Sequence, residues 1–248
     1  MSRRTSTTVV QDYLRAIYCA GEWGDDGIGV TELATLMGVS ASTASENVRK
    51  LRDQGLVSHR PYQRVRLTED GHRLAVTMVR RHRMIETVLH DLLGYSWDEV
   101  HDEAESLEHA VTNRLIDRID HVLGYPEFDP HGDPIPRADG TVPAGSHCTL
   151  DIADEATTVR VTRIRDADPE LLRHCEARGI VPGSELHVVE RNASTGIITV
   201  EVMSQGKDPV VGTRIDLPID LGADIRVRCP HPPGEHPHAH ATKTSSRG

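Results

Sequence analysis

Apolar residues recur at helical spacing through the first half of the chain and alternate with polar ones through much of the second. Residues 9–22, VVQDYLRAIYCAGE, place Val10, Leu14, Ile17 and Tyr18 on one stripe and predict a helix. The glycines and aspartates of EWGDDGIG end it. VTELATLMG predicts a short helix capped by Thr31 and stopped at Gly38. SASTASENVRKLRDQGL predicts a second, with Ser40 or Ser42 as N-cap and Gly55 as its stop. LVSHRPYQRVRLTEDG reads as a hairpin, two β-prone arms around His59–Gln63. HRLAVTMVRRHRMIETVLHDLLG resumes a long helix to Gly94. SWDEVHDEAESLEHAVTNRLIDRIDHVLG predicts one further helix to Gly124, opened by a capping box of Ser96 and Glu99.

Beyond Gly124 the pattern changes. YPEFDPHGDPIPRADGTVPAGSH is dense in Pro, Gly and Asp and predicts an extended linker. TTVRVTRI, SELHVVER, GIITVEVM and DIRVRC alternate as strands do, interrupted by one helix, PELLRHCEARG. The tail CPHPPGEHPHAHATKTSSRG is of low complexity and predicts disorder. The expected architecture is mainly α with a small β-barrel-like module at the end. The expected divisions are 1–76, 77–128, a linker at 129–147, a β domain at 148–229 and a tail at 230–248.

Composition sharpens this. The 248 residues suffice for two or three compact domains, and aromatics at 3% leave the cores to Leu, Ile, Val and Ala. No apolar run is long enough to cross a bilayer, and MSRRTSTTVVQDYL lacks the apolar stretch of a signal peptide. Cys19, Cys148, Cys175 and Cys229 are scattered, with no CxxC pair, so thiols in a reducing cytoplasm are expected. Charge is uneven. Residues 1–81 carry 12 Lys/Arg against 9 Asp/Glu, and 41–81 alone carry 9 against 4, although the whole chain is at −10. A basic region on an acidic protein points to a local polyanion partner.

Two short helices joined around Gly38, then a hairpin, make the layout of a winged helix-turn-helix, whose second helix enters a major groove. Small polar residues at that helix start permit close approach, so Ser40, Ser42, Thr43 and Ser45 are candidate contacts to phosphates or base edges. Arg49, Lys50 and the hairpin's Arg64 would supply charge to the backbone. Glu46 would repel phosphate unless it accepts from cytosine N4. The partner expected is double-stranded DNA.

The stretch HDEAESLEH, residues 101–109, suits a wet helix face, an acid–base site or a cation trap. On a helix Glu105, Glu108 and His109 share one face, with His101 a turn earlier. His82 and Glu86 repeat the i,i+4 spacing upstream, and residues 82–109 hold eight Asp/Glu and one Arg. Acids so crowded repel, and a divalent cation relieves that. No nucleophile elbow, phosphate loop or HExxH pair is present, so no enzyme is indicated.

Taken together, the winged helix, RRHRMIETVLHDLLGYSWDEVHDEAESLEHAVT, GDPIP and a β module resemble the diphtheria-toxin-repressor family of metal-dependent transcriptional repressors, over residues 7–228. The resemblance implies an SH3-like, FeoA-like β domain, a homodimer and a divalent metal as corepressor for binding a palindromic operator. It implies one metal site on His82, Glu86 and His101, and another on Glu105, Glu108 and His109 completed by Asp12. Asp168 and Glu170 fall near the positions where three-domain members add two β-domain ligands. Iron-responsive members carry methionine and cysteine where Asp12 and Glu105 fall, whereas manganese-responsive members carry carboxylates, and hard donors suit Mn²⁺. One manganese subgroup has a glutamate where this chain has Arg15, which speaks against a binuclear centre built there. The expectation is therefore a cytoplasmic Mn²⁺-dependent repressor of metal-uptake genes, with two Mn²⁺ sites per subunit and Fe²⁺ or Co²⁺ as substitutes. The alternatives are an iron-dependent repressor or a metal-independent regulator with a ligand-binding β module. The tail's His231, His236, His238 and His240 are expected to scavenge metal only weakly.

Overall fold

The computed structural model describes residues 6–24, 27–145, 148–166, 168–205 and 208–229. The His-rich tail lies outside them. The chain divides into two compact units, the first comprising Met1–Ile85, Ala104–Tyr125 and Ile135–Val142 and the second the remainder.

In the first unit, helix α1 (Ser6–Glu22) packs with α2 (Val30–Leu36) and α3 (Ala41–Asp53). The hairpin β1 (Val57–Ser58) and β2 (Arg66–Leu67) follows, in register Val57↔Leu67. Tyr13, Leu14 and Ile17 of α1 meet Leu33, Val48, Leu51, Val57 and Val65 in one apolar core. Each such fully buried side chain stabilises by roughly 1.5–3 kcal/mol. The predicted winged helix-turn-helix is therefore formed. Ser40 is the N-cap of α3, its hydroxyl accepting from the Thr43 amide at 3.2 Å.

Helix α4 (Glu69–Leu93) is the long helix that the periodicity predicts. The next predicted helix is two, α5 (Val100–Leu107) and α6 (Asn113–Val122). The break has a local cause. Thr112 takes an extended backbone (φ −91, ψ 154) and its hydroxyl accepts from the Leu115 amide at 3.3 Å, starting a new helix. Glu108 and His109 therefore lie in a turn rather than on a helix face.

The second unit holds a six-stranded antiparallel sheet. Its strands are β3 (Cys148–Thr149), β4 (Thr158–Ile164), β5 (Glu185–Asn192), β6 (Ile197–Gln205), β7 (Asp208–Pro218) and β8 (Ile225–Arg228), in the order β3-β8-β4-β5-β6-β7. Helix α7 (Pro169–Glu176) and the short α8 (Ile219–Gly222) complete it. Strand β7 escaped the alternation pattern because Pro, Gly and charged residues break it. The core is aliphatic, from Leu150 through Val227, with Trp97 and Cys175 included.

Two expectations require correction. The segment expected to be a linker begins as core: Asp129, His131, Asp133 and Ile135 are all buried. Gly132 is at φ +87, and a Cβ there would meet the Thr162 carbonyl oxygen at 2.0 Å, so the segment lies directly on β4. Nor are all the cysteines thiols. Cys148 and Cys229 form a disulfide across 81 residues, because the antiparallel pairing Cys148↔Val227 brings β3 and the end of β8 side by side.

Candidate functional site

Asp12 projects from α1 toward the turn that follows α5. His109 Nε2 lies 2.7 Å from Asp12 Oδ1 and 3.4 Å from Glu108 Oε1. The Gln11 amide, 3.0 Å from His109 Nδ1, orients the ring from its other side. The ligand atoms of Asp12, Glu108 and His109 all lie within 4.8 Å of one another, and Glu108 is only 1% exposed. Glu108 Oε2 also meets His82 Nδ1 at 2.7 Å. Two buried acids and two imidazoles from three segments thus converge, a donor set that fits a divalent cation.

Arg15, one turn after Asp12 on α1, enters the same group. Its guanidinium binds Glu105, and its Nε lies 3.5 Å from Glu108 Oε1. Burial alone would lower its pKa, but the Glu108 and Glu105 carboxylates outweigh that and hold it above its usual value. Glu105, expected beside Glu108 and His109, is instead held by Arg15. It stands outside the Asp12, Glu108 and His109 ligand group, its charge taken by a fixed cation.

In the second unit, Glu86, His101 and Asp166 form a further cluster. His101 Nδ1 is 3.3 Å from Glu86 and 3.4 Å from Asp166. Burial would lower the His101 pKa, but these two carboxylates push it up to about 11. Burial would raise that of Asp166, yet His101 draws it well below the usual carboxylate range. Glu86 also groups with Asp129 and His131, all three buried, their ligand atoms within 4.8 Å. His131 Nε2 donates to the Trp97 carbonyl at 2.9 Å, which leaves the lone pair of the neutral ring on Nδ1. Among the described residues that nitrogen has no hydrogen-bond partner although it is buried, as suits a metal ligand. His82 precedes Glu86 by one turn of α4 and belongs to the first unit.

Asp168 and Glu170 do not reach this cluster. Both are exposed, and Asp168 caps α7 by accepting from the Glu170 amide at 2.9 Å. The β-module acid that does arrive is Asp166, two residues earlier, just past the end of β4. Asp129, His131 and Asp166 were missed by sequence reasoning. The signal available was the alternation Asp129–His131–Asp133 ahead of a buried Ile135, hidden in a segment whose composition suggests a linker.

On α3 the start is a hydroxyl cluster, with Ser40 Oγ 2.8 Å from Ser42 Oγ and 2.9 Å from Thr43 Oγ1. Ser42, Thr43, Ser45, Arg49 and Lys50 are exposed. Lys50 pairs with Glu46 at 2.8 Å, which offsets the charge that would oppose phosphate. Arg64 is committed elsewhere, its Nε donating to the Gly27 carbonyl at 2.8 Å and its Nη2 reaching Glu32 at 3.3 Å. It ties the wing to the start of α2 rather than standing free for a phosphate.

Three family models match in succession. They are the iron dependent repressor N-terminal DNA binding domain over residues 5–65, the iron dependent repressor metal binding and dimerisation domain over 68–137, and the FeoA domain over 148–229. The iron-dependent repressor IdeR of Mycobacterium tuberculosis (strain H37Rv) is 30% identical over 223 residues, spanning 87% of this chain and 94% of that protein. The chain belongs to the iron-dependent repressor family. A solved manganese-dependent transcriptional repressor in complex with manganese is 49% identical, with a TM-score of 0.81 over 88% of this chain and 98% of that one. The manganese regulator SloR is 32% identical, with a TM-score of 0.75 over 89% and 98%. As a member of the family the chain is a metal-dependent transcriptional repressor with a DNA-binding domain, a helical domain and a FeoA domain. No helix among its described residues is long and apolar enough to cross a membrane.

Proposed function

We propose that this repressor responds to manganese and, as a homodimer on a palindromic operator, silences genes for metal uptake. The observation that carries the reading is the meeting of Asp12, from the DNA-binding domain, with Glu108 and His109. Oxygen and imidazole donors with no sulfur suit Mn²⁺, which binds most weakly of the first-row divalent ions and must be selected by donor hardness and availability. Asp12, Glu108 and His109, with His82 beside Glu108, would hold one ion. Glu86, His101, Asp129, His131 and Asp166 would hold a second.

A divalent ion bound there supplies the positive charge that keeps these carboxylates together. Asp12 then ties α1, and through the apolar core α3, to the turn after α5. Ser42, Thr43 and Ser45 sit at the end of α3 that approaches base edges, and Arg49 and Lys50 meet phosphates. Leu115 and Val122 on α6, exposed by 47% and 66%, are apolar surface suited to a second subunit.

A DNA-binding assay with promoter fragments of metal-uptake genes tests the reading. Binding is expected with Mn²⁺ and its loss on chelation. Binding indifferent to chelator discards the metal reading, and activation by Fe²⁺ at concentrations where Mn²⁺ is silent reassigns the metal.

A further inference from the structure

The first unit contains a cavity of about 430 Å³ between α4, the start of α6 and the turn at 137–140. Its volume falls in the range of small-molecule sites. Four arginines line it (Arg73, Arg80, Arg81 and Arg137) against two aspartates, Asp117 and Asp139. Both acids have partners already: Asp117 lies 3.5 Å from Arg80, and Asp139 accepts from the amide and hydroxyl of Thr141 at 2.9 and 2.7 Å. Arg80 is buried and held by Asp120 at 2.7 Å and the Pro136 carbonyl at 2.9 Å.

Arg73 is likewise paired, with Glu69 at 3.3 Å and with Asp70. Arg81 differs from Arg73 and Arg80. Its Nε and Nη2 both donate to Asn113 Oδ1, at 3.1 and 2.7 Å, and its Nη1 faces Met78 Sδ at 3.9 Å. Among the described residues no carboxylate neutralises it. A guanidinium fixed by a neutral amide keeps its charge while losing its freedom, the condition for receiving an anion at little entropic cost. Asn113 turns its oxygen to Arg81 and so leaves its Nδ2 as a donor, at the first residue of α6.

We propose that this cavity binds a small, multiply charged oxyanion of the phosphate type, clamped by Arg81 and Asn113, as an input separate from the metal. Arg80 and Arg81 directly precede His82, and Asn113 follows His109 by four residues. An occupant bridging α4 and α6 therefore acts on the segments that carry His82, Glu108 and His109. Binding stands without the metal reading, and only its regulatory consequence rests on it.

The test uses full-length, metal-free protein in a phosphate-free, low-salt buffer, titrated calorimetrically with inorganic pyrophosphate. Saturable binding at one per chain is expected, weakened tenfold or more in Arg81→Ala, where a charge-assisted bond is lost. Asn113→Ala, an exposed site whose loss leaves the fold standing, should weaken it too, with circular dichroism confirming folding in both variants. Absence of saturable binding, or binding untouched by both substitutions, overturns the proposal. Displacement of pyrophosphate by a short DNA duplex also overturns it, because the cavity would then be a seat for backbone phosphate. Hydrogen exchange on the same samples should slow at residues 78–84 and 108–116, and no change there removes the coupling. Since no metal is present, failure of the manganese reading cannot mask any of these results.

Discussion

Arg15 puts a permanent positive charge among acids that otherwise wait for a soluble one. It binds Glu105 and approaches Glu108, and its own side chain is 13% exposed. Removing it deprives both carboxylates of their cation, although Glu105 is 40% exposed and Glu108 keeps His82 at 2.7 Å, so the cost falls short of that of a fully buried broken pair. Arg15→Ala should therefore destabilise the metal-free protein. It should also enlarge the rise in melting temperature on adding MnCl₂, because the ion then relieves Glu105 as well as Asp12 and Glu108. Equal metal-induced shifts in variant and wild type would show that Glu105 does not face the ion. Cys175, in the core of the second unit, makes a second residue-scale case. Burial pushes its thiol up to about 12, against about 8.5 in an unfolded chain. Between those values the unfolded state binds fewer protons than the folded one, so stability falls as pH rises, by at most about 1.4 kcal/mol per unit. Urea denaturation at successive pH values above 8.5 should show a shallower decline in Cys175→Ala than in wild type. Parallel declines would mean that the thiol ionises without unfolding.

At the scale of elements, what could be read in the chain was what local pattern encodes. Periodicity located α1 to α4, the wing, α7 and four strands. The capping box expected at Ser96 forms only by half: the Ser96 amide donates to Glu99 at 3.1 Å, but the Ser96 hydroxyl donates to Asp98 at 2.9 Å and caps no amide, and α5 begins at Val100. Pattern failed where long-range packing decides. The segment 129–136 looks like a linker by composition, yet Asp129 holds the His131 and Asp133 amides at 2.9 Å each and the chain docks on β4. Spacing likewise cannot tell Asp166 from Asp168 and Glu170, since only the end of β4 decides which acid turns toward His101. The split between α5 and α6 is the instructive miss, because Thr112 is a legible cap that the run of helix formers concealed. It yields a prediction whose sign separates the two readings. If α6 starts at a Thr112 cap, Thr112→Ala costs about 1 kcal/mol. In a single continuous helix the same substitution would stabilise, alanine being the better helix former. Chemical denaturation measures which.

At the scale of the whole molecule, the proposed function couples the basic N-terminal region to the acidic remainder through Asp12. A repressor whose DNA affinity depends on metal must show the converse. If metal raises operator affinity by some factor, operator raises metal affinity by the same factor, because both are one coupling free energy. That coupling exists only insofar as metal prefers the DNA-competent arrangement. Asp12 belongs to the first helix of the DNA-binding domain, and Glu108 and His109 to the region matched by the metal-binding and dimerisation model, so on the proposed reading the preference resides in this contact. Asp12→Ala should then bring both factors toward one together while leaving the apolar core around Tyr13, Leu14 and Ile17 in place. Mn²⁺ titrations with and without operator duplex, set beside operator titrations with and without Mn²⁺, give the two factors independently. Equal factors in wild type that shrink in step in the variant are the expected result. A metal effect on DNA binding that survives the substitution at full size would mean that the ion acts through the Glu86–His101–Asp166 cluster instead, with Asp12 a structural acid.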